Sequence, residues 1–164
     1  VEPYVDTVKE KPLMTKLPRP GKIVKEKKNA ELGYTELKLS NGVTVILKKT
    51  DFKKDQVNFA ASGHGGKSLY GAKDYTNLAV FNDIVAISGL GGFSNMELPK
   101  ILAGKIANAG LSMGDKYMGM SGGSSKRDVE TMLQLAYLYL SGHITKDAQS
   151  FSALMDSWLS RTAL

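Results

Sequence analysis

Apolar and polar residues alternate along residues 21–50, a period of two that is typical of β-strands with one buried face. An Asn41–Gly42 pair interrupts the alternation. Both central residues of a type I′ turn need positive φ, which this pair adopts readily, so the pattern predicts a β-hairpin around it. The apolar pair at residues 23–24 predicts an earlier edge strand, and residues 56–62 (QVNFAAS) predict a further strand.

The stretch 74–88 predicts the central helix of the chain. Asp74 is a suitable N-cap residue, and Gly89 is a suitable stop. The apolar residues between them are Leu78, Ala79, Val80, Phe81, Ile84, Val85, Ala86 and Ile87. Because these residues cover nearly every face of the helix, we expect other elements to enclose it and a sheet to pack against it.

A further helix is predicted from the capping-box spacing of Ser94 and Glu97 up to Gly104. Pro99 lacks the N–H that a helix interior needs, so we expect this helix to start nearer Met96.

Small residues and methionines fill residues 105–124, where Gly114–Asp115 predicts the turn of a second hairpin. We expect most methionines to fill the core rather than to line a binding surface, because this flexible side chain fits irregular gaps. The methionines concerned are Met96, Met113, Met118, Met120, Met132 and Met155.

Two helices are predicted at the C-terminal end. Ser125 and Asp128 have capping-box spacing for the first, which Gly142 ends, and Thr145 is the predicted cap of the second. Their predicted buried faces are Val129, Met132, Leu133, Ala136, Tyr137 and Leu140, then Phe151, Leu154, Met155, Trp158 and Leu159. The predicted order, β-β-β, α-α, β-β, α-α, favours an α+β fold with a largely antiparallel sheet backed by helices.

Composition adds a few constraints. With 164 residues, 42% of them hydrophobic, the chain is long enough for one domain with a core. The net charge is +6, but the basic residues are concentrated near the N-terminus with few aromatic residues among them, so we expect no nucleic-acid partner. No apolar run has transmembrane length, so no membrane insertion is expected. Four of the five prolines lie in residues 1–20, which predicts a linker before a single domain at residues 21–164.

A phosphate-binding loop is the most tempting local motif, because residues 65–68 (GGKS) follow a predicted strand. However, Ala61 replaces the first glycine of such a loop, and Gly71 delays the helix whose N-terminus would meet the phosphates. We therefore expect a strand-to-helix loop with an exposed Lys67.

Other candidate chemistry is sparse. Cysteine is absent, which excludes disulfides and thiolate metal sites. His64 and His143 are far apart in sequence, so we expect two exposed loop histidines rather than a zinc site. The glycines at 89, 91 and 92 have two interpretations, a turn between helices or a close approach of the backbone to a partner.

The order of these motifs resembles the M16 (insulinase/pitrilysin) family of zinc metallopeptidases, especially PqqL-like bacterial peptidases built from two halves. The stretches that carry the resemblance are LKLSNGVTVILKKT (37–50), SGLGGFSNMELPKILAGK (88–105) and SGGSSKRDVETMLQLAYLYL (121–140). The resemblance implies a LuxS/MPP-like metallohydrolase fold, with a sheet flanked by helices. It also implies a periplasmic or cell-envelope location, and a zinc motif H-x-x-E-H that only the first copy of the repeated domain carries.

In catalytic copies that motif follows Gly-Leu-Ala, and here residues 77–79 (NLA) are followed by Val80-Phe81-Asn82-Asp83-Ile84. Val80 and Ile84 stand at the two histidine positions and have no lone pair to give, and Asp83 is one methylene shorter than the family's glutamate. The resemblance therefore implies a non-catalytic domain with no metal or cofactor of its own, and zinc in the catalytic domain of the parent chain. The implied partners are the catalytic half of the same polypeptide and a peptide substrate.

We also expect the 164 residues to be a piece of a longer chain, from the C-terminal half and incomplete at its C-terminal end. The alternative is a free-standing interaction or scaffold module without catalysis.

Overall fold

The computed structural model describes residues 11–162, which fall into two compact units. The smaller unit is residues 15–55, and the larger comprises residues 11–14 and 56–162. Residues 1–10 of the predicted linker lie outside the described residues, and the predicted linker and domain boundaries stay predictions.

The smaller unit is an antiparallel sheet of three strands in the order β1-β2-β3. The strands are β1 (Ile23–Asn29), β2 (Tyr34–Leu39) and β3 (Thr44–Lys48). Between β2 and β3, Gly42 has a φ of +88°, but no non-glycine residue among those described has a positive φ, so the predicted type I′ turn at Asn41–Gly42 is wrong. The Gly42 N–H donates to the Leu39 carbonyl at 3.0 Å and the Leu39 N–H donates to the Val43 carbonyl at 2.9 Å, so a longer loop with glycine in the left-handed conformation closes the hairpin. The predicted hairpin and the predicted earlier edge strand are both confirmed.

The larger unit contains a second antiparallel sheet of three strands, in the order β4-β7-β6. Its strands are β4 (Val57–His64), β6 (Ala107–Met113) and β7 (Tyr117–Ser124). The strand predicted at residues 56–62 is therefore confirmed. The predicted second hairpin is confirmed as well. A two-stranded ladder of β5 (Gly89–Leu90) and β8 (Ile144–Thr145) was not predicted.

The helices of the larger unit are α1 (Tyr75–Ala79), α2 (Phe81–Ile87), α3 (Leu98–Ile101), α4 (Val129–Leu140) and α5 (Ala148–Thr162). The prediction of one central helix is wrong, because the chain forms two short helices that meet at Val80. Pro99 lies in the first turn of α3, where its missing N–H breaks no helical bond. Within the described residues, no helix is long and apolar enough to cross a membrane.

The Ser94–Glu97 capping box forms, since the Glu97 N–H also donates to the Ser94 hydroxyl at 3.2 Å. At Ser125–Asp128 only half of the box forms, because the Asp128 N–H donates to the Ser125 hydroxyl at 3.2 Å but the Ser125 N–H donates to the Ile106 carbonyl. Ser94 donates from its N–H and its hydroxyl to Glu97 Oε2, each at 2.9 Å. Asp128 Oδ2 accepts from the Ile106 N–H at 2.9 Å and from the Ser125 hydroxyl at 2.7 Å. These bonds favour the carboxylate, so they hold the pKa of Asp128 below its ordinary range, with the Ile106 N–H as the largest cause. Asp128 thus ties the start of α4 to the start of β6.

The predicted cap of the last helix is wrong. Thr145 lies in β8, and its hydroxyl accepts a hydrogen bond from the Gly92 N–H at 2.9 Å. Asp147 caps α5 instead, since its Oδ1 accepts from the Ser150 N–H at 2.9 Å.

The core of the larger unit is a cluster of four leucines, Leu13, Leu90, Leu135 and Leu138. Leu90 is fully buried, and Leu13 is only 6% exposed. Leu13, which belongs to the described part of the predicted linker, therefore packs in this core. Since the chain combines helices with antiparallel sheets, the predicted α+β class is confirmed.

The predicted buried face of α4 is partly wrong. Leu133, Tyr137 and Leu140 are exposed, and the buried residues of the helix are Thr131, Met132, Leu135, Ala136 and Leu138. Three methionines lie in the core as expected, namely Met113, Met120 and Met132. Met96 does not, because it is 74% exposed.

Candidate functional site

A groove of about 930 Å³ runs between the helix pair α1–α2 and helix α5. Its largest side chains are Val80, Phe81 and Ile84 from the helix pair, and Phe151, Met155 and Trp158 from α5. We call this surface the apolar groove. Its volume lies in the range of about 300–1,000 Å³ that is usual for binding pockets, so it is large enough to hold several side chains of a ligand.

The break between α1 and α2 shapes one wall of the groove. Val80 has φ −100° and ψ 0°, outside regular helical geometry, and its carbonyl still accepts from the Ile84 N–H at 3.0 Å. Val80 and Ile84 are therefore one helical turn apart, and both line the groove. Of the residues in α1 and α2, only Val85 is buried, with 7% of its surface exposed. The expectation of a central helix enclosed on all sides is wrong.

Helix α5 forms the opposite wall. Phe151, Met155 and Trp158 recur at intervals of four and three residues, so they share one face of the helix. Met155 and Trp158 are half-buried, and Phe151 is 42% exposed. Trp158 is the single tryptophan of the chain, which makes it a specific optical probe of this wall.

One end of the groove is polar, where Lys146 and Asp147 precede α5. The Asp147 carboxylate accepts backbone N–H bonds, the strongest from Ser150, and these bonds lower the pKa of Asp147. The backbone N–H groups at the start of α5 thus bind this carboxylate. Thr76, Asn77 and Ser88 also line the groove, and the remaining lining side chains are apolar.

A side-chain amide connects the helix pair to the sheet. Asn82 Nδ2 donates to the Met113 carbonyl at 3.1 Å, and the Met113 N–H donates to Asn82 Oδ1 at 2.8 Å. Since Asn82 lies between Val80 and Ile84 in sequence, these two bonds fix the helical wall of the groove against strand β6.

The five residues 80–84, which the family resemblance aligns with the zinc motif, separate into different surroundings. Val80, Phe81 and Ile84 line the groove, Asn82 binds β6, and Asp83 is exposed. Val80 and Ile84 belong to the helix that was expected to be enclosed with a sheet packed against it, but their side chains line an open groove opposite α5.

The donor set at these positions does not fit zinc, since neither aliphatic side chain has a lone pair to coordinate the metal. Elsewhere in residues 11–162, no group of three or more His, Cys, Asp or Glu side chains could hold a metal ion.

The loop at residues 65–68 forms a 3₁₀ turn rather than a phosphate cradle. The Lys67 N–H donates to the Gly114 carbonyl at 2.9 Å, and the Ser68 N–H donates to the Asp115 carbonyl at 2.8 Å. These amides, which a P-loop would present to phosphate, are used to bind the turn of the second hairpin. Lys67 was expected to be exposed but is half-buried.

The two histidines stay apart. His64 is exposed as expected, but it ends strand β4 instead of lying in a loop, and its ring lies 5.2 Å from that of Tyr117. His143 is an exposed loop residue whose Nδ1 lies 2.8 Å from the Ser141 hydroxyl.

The glycine cluster serves close contacts within the chain. A Cβ at Gly89 would clash with the Phe93 carbonyl oxygen, and the Gly91 N–H donates to the His143 carbonyl at 2.8 Å. Of the two interpretations, the structure shows a turn that pairs with its own chain.

Two functional features could not be seen in the sequence. The groove depends on α5 crossing opposite α2, a long-range contact with no local signal. The role of Asn82 depends on a partner 31 residues away. The one available signal was the aromatic and methionine face of α5, which was interpreted as core.

Comparison with known proteins finds one sequence relative that is named as a protease. The chain is 29% identical over 143 residues to a protein named "Zinc protease PQQL-like" from Arabidopsis thaliana, a match that covers 87% of this chain. It spans only 12% of that protein's length. No family profile matches the chain.

Solved structures share the fold. The periplasmic protease PqqL from Escherichia coli superposes with a TM-score of 0.80 and 22% identity, over 96% of this chain and 17% of that one. The ferredoxin protease FusC, in complex with Arabidopsis ferredoxin, superposes with a TM-score of 0.78 and 18% identity, over 93% of this chain and 17% of that one. The resemblance of this chain to a piece of the M16-type, PqqL-like proteases is therefore confirmed.

Proposed function

We propose that this chain is a non-catalytic part of an M16-type zinc protease, and that it helps to enclose a peptide substrate against a catalytic half that the 164 residues do not contain. The observation that carries the proposal is the apolar groove at Val80 and Ile84. By resemblance, these residues occupy the positions where catalytic copies have zinc-binding histidines. A groove that has aliphatic side chains in place of metal ligands is suited to contact a peptide without cleaving it.

In this proposal the groove receives apolar side chains of an extended peptide. Removal of apolar area from water contributes about 25 cal/mol per Å², and the six large side chains of the two walls offer such area on both sides of a ligand. Lys146 and Asp147 give a polar end, where a peptide backbone could be oriented. Zinc and its activated water belong to the catalytic domain of the parent chain, so no step of the chemistry is assigned to this part.

Two similarities support the proposal. The sequence match is to a protein named as a zinc protease, and one structural neighbour was solved with a protein, ferredoxin, bound to it. The alternative is a free-standing interaction module, for which the same groove would serve as the docking surface. A reading frame that encodes H-x-x-E-H upstream in the same polypeptide would favour the protease, and an isolated frame would favour the module.

The test uses Trp158 as the probe of the groove. The purified chain is titrated with an extended peptide that carries leucine and phenylalanine, and with a matched peptide in which serine replaces them. We expect a saturable change of Trp158 emission with the apolar peptide only, because only that peptide brings apolar area to the groove.

A pair of variants makes the test specific. Ile84→Asp should abolish the change, since it places a charge in the wall of the groove, whereas Leu133→Asp should leave it intact. Leu133 is the matched control because it is an exposed apolar residue on α4 and does not line the groove. Equal responses to both peptides, or equal loss in both variants, would refute the peptide-binding role.

A further inference from the structure

Asn82 binds a backbone position at the outer side of strand β6. The Gly114 N–H donates to the Tyr117 carbonyl, so these two residues form a hydrogen-bonded pair of the β6–β7 hairpin. Pairs alternate along an antiparallel ladder, which makes the next pair, Met113 with Met118, a non-hydrogen-bonded one. The N–H and C=O of Met113 therefore point away from β7, toward the edge of the sheet.

The two hydrogen bonds between Asn82 and Met113 reproduce those that a residue of a neighbouring strand would make. In an antiparallel ladder, one residue donates an N–H to its neighbour and accepts an N–H from it, and the Asn82 amide does both with Met113. The side chain thus occupies, at one residue, the place where a neighbouring strand would bind.

Strand β6 has the composition of an edge that needs such protection. Residues 107–113 (ANAGLSM) contain no charged residue and no proline, and β6 is an outer strand of its sheet. Uncharged edge strands pair readily with other chains, and proteins limit this with charges, prolines, bulges or covering groups. Of these devices, β6 shows a covering group, and that group is Asn82.

We propose that the Asn82 amide is an edge cap, which closes the hairpin end of β6 against pairing with the same strand of a second copy of this chain. The proposal goes beyond the proposed function, because it concerns the sheet edge and not the groove. Loss of the cap leaves the Met113 N–H and C=O unpaired at the end of an uncharged strand. A second β6 strand can then satisfy both groups.

Hydrogen exchange resolved at single amides gives the first test, and it starts with the unmodified chain. The Met113 amide should be protected like those of Ser112 and Gly110, which pair with β7. In Asn82→Ala, exchange at Met113 should be about tenfold faster or more, the effect of losing one hydrogen bond, while Ser112 and Gly110 stay slow. An unprotected Met113 in the unmodified chain, or equal acceleration at all three amides, would overturn the proposal.

Sedimentation across a range of concentrations gives the second test. The mass of Asn82→Ala should rise with concentration more than that of the parent, and Asn108→Ala, an exposed asparagine of the same strand, should behave like the parent. Adding Ser112→Lys to Asn82→Ala should restore the parental mass, because a lysine on the strand opposes edge pairing. Should Asn82→Ala not fold, Asn82→Ser takes its place, since its side chain is too short to make both bonds to Met113 and adds no charge to the edge. A variant that associates no more than the parent, or association that Ser112→Lys leaves unchanged, would refute the edge cap.

Discussion

Two truncations that remove the same number of carbon atoms can decide whether Val80 and Ile84 line an open groove or a closed core. Ile84→Ala and Leu90→Ala each delete three carbon atoms. Leu90 is fully buried within the leucine cluster, whereas Ile84 is half-buried and faces the groove. The chemistry of the deletion is therefore constant, and only the surroundings differ.

The expected costs follow from these surroundings. Three methylene-sized groups contribute about 0.8 kcal/mol each when fully buried, or about 2.4 kcal/mol in total. At Leu90 a closed cavity adds to this loss, so Leu90→Ala should lower the free energy of unfolding by about 3–5 kcal/mol. At Ile84 part of the side chain already contacts water and the groove leaves no closed cavity, so Ile84→Ala should cost only about 1–1.5 kcal/mol.

The assay is urea unfolding followed by Trp158 fluorescence, which reports on the same unit as both substitutions. The free energies are comparable only where the slope against urea is unchanged between variants. We expect Leu90→Ala to be at least twice as destabilising as Ile84→Ala. If the two costs are equal and lie near those of a closed core, Ile84 is packed on all sides, and the groove that supports the proposed function does not exist in solution.

Three further predictions follow from the site and its surroundings. Because the folded-state pKa of Asp128 is lowered, its carboxylate stabilises the fold above its ordinary pKa of 3.8, and this contribution is lost as the pH falls through the lower folded-state value. The unfolding temperature should therefore decrease as the pH is lowered below about 4, and this decrease should be less steep in Asp128→Asn. Calorimetry should detect no micromolar ATP binding, since the loop amides already bind the hairpin turn. Lys67→Ala should leave that result and the unfolding midpoint unchanged. Micromolar ATP binding by the parent that is lost in Lys67→Ala would contradict this prediction. The chain should neither retain one equivalent of zinc after dialysis nor cleave peptides, and the triple variant Val80→His, Asp83→Glu, Ile84→His should fold yet still fail to retain zinc. Metal analysis and a chelator-sensitive peptidase assay check both forms.

The parts of the fold that the sequence predicted are those whose cause is local. The hairpin around Asn41–Gly42, the second hairpin and the Ser94–Glu97 capping box each depend on residues within a few positions of one another, and all are present. The errors have non-local causes. Helix α4 is apolar on more than one side, so its spacing fits the exposed face through Leu133 and Tyr137 as well as the buried face through Leu135 and Leu138. Only contact with the rest of the unit selects between the two faces.

The same distinction explains what the sequence could and could not reveal at the candidate site. The lack of metal ligands at positions 80 and 84 was visible, because a ligand is defined by its atoms and Val80 and Ile84 have none to offer. The surface that these two residues form was not visible, because aliphatic residues on a helix are equally consistent with a closed core and with a groove. The structure separates the two through helix α5, whose Met155 and Trp158 face the helix pair across open space. A groove of this kind discriminates between ligands mainly by apolar area and shape, since most of its lining side chains are apolar. In the proposed role it would therefore select peptides by their content of apolar side chains rather than by a defined sequence, which suits a surface that holds varied substrates while the catalytic half determines where they are cut.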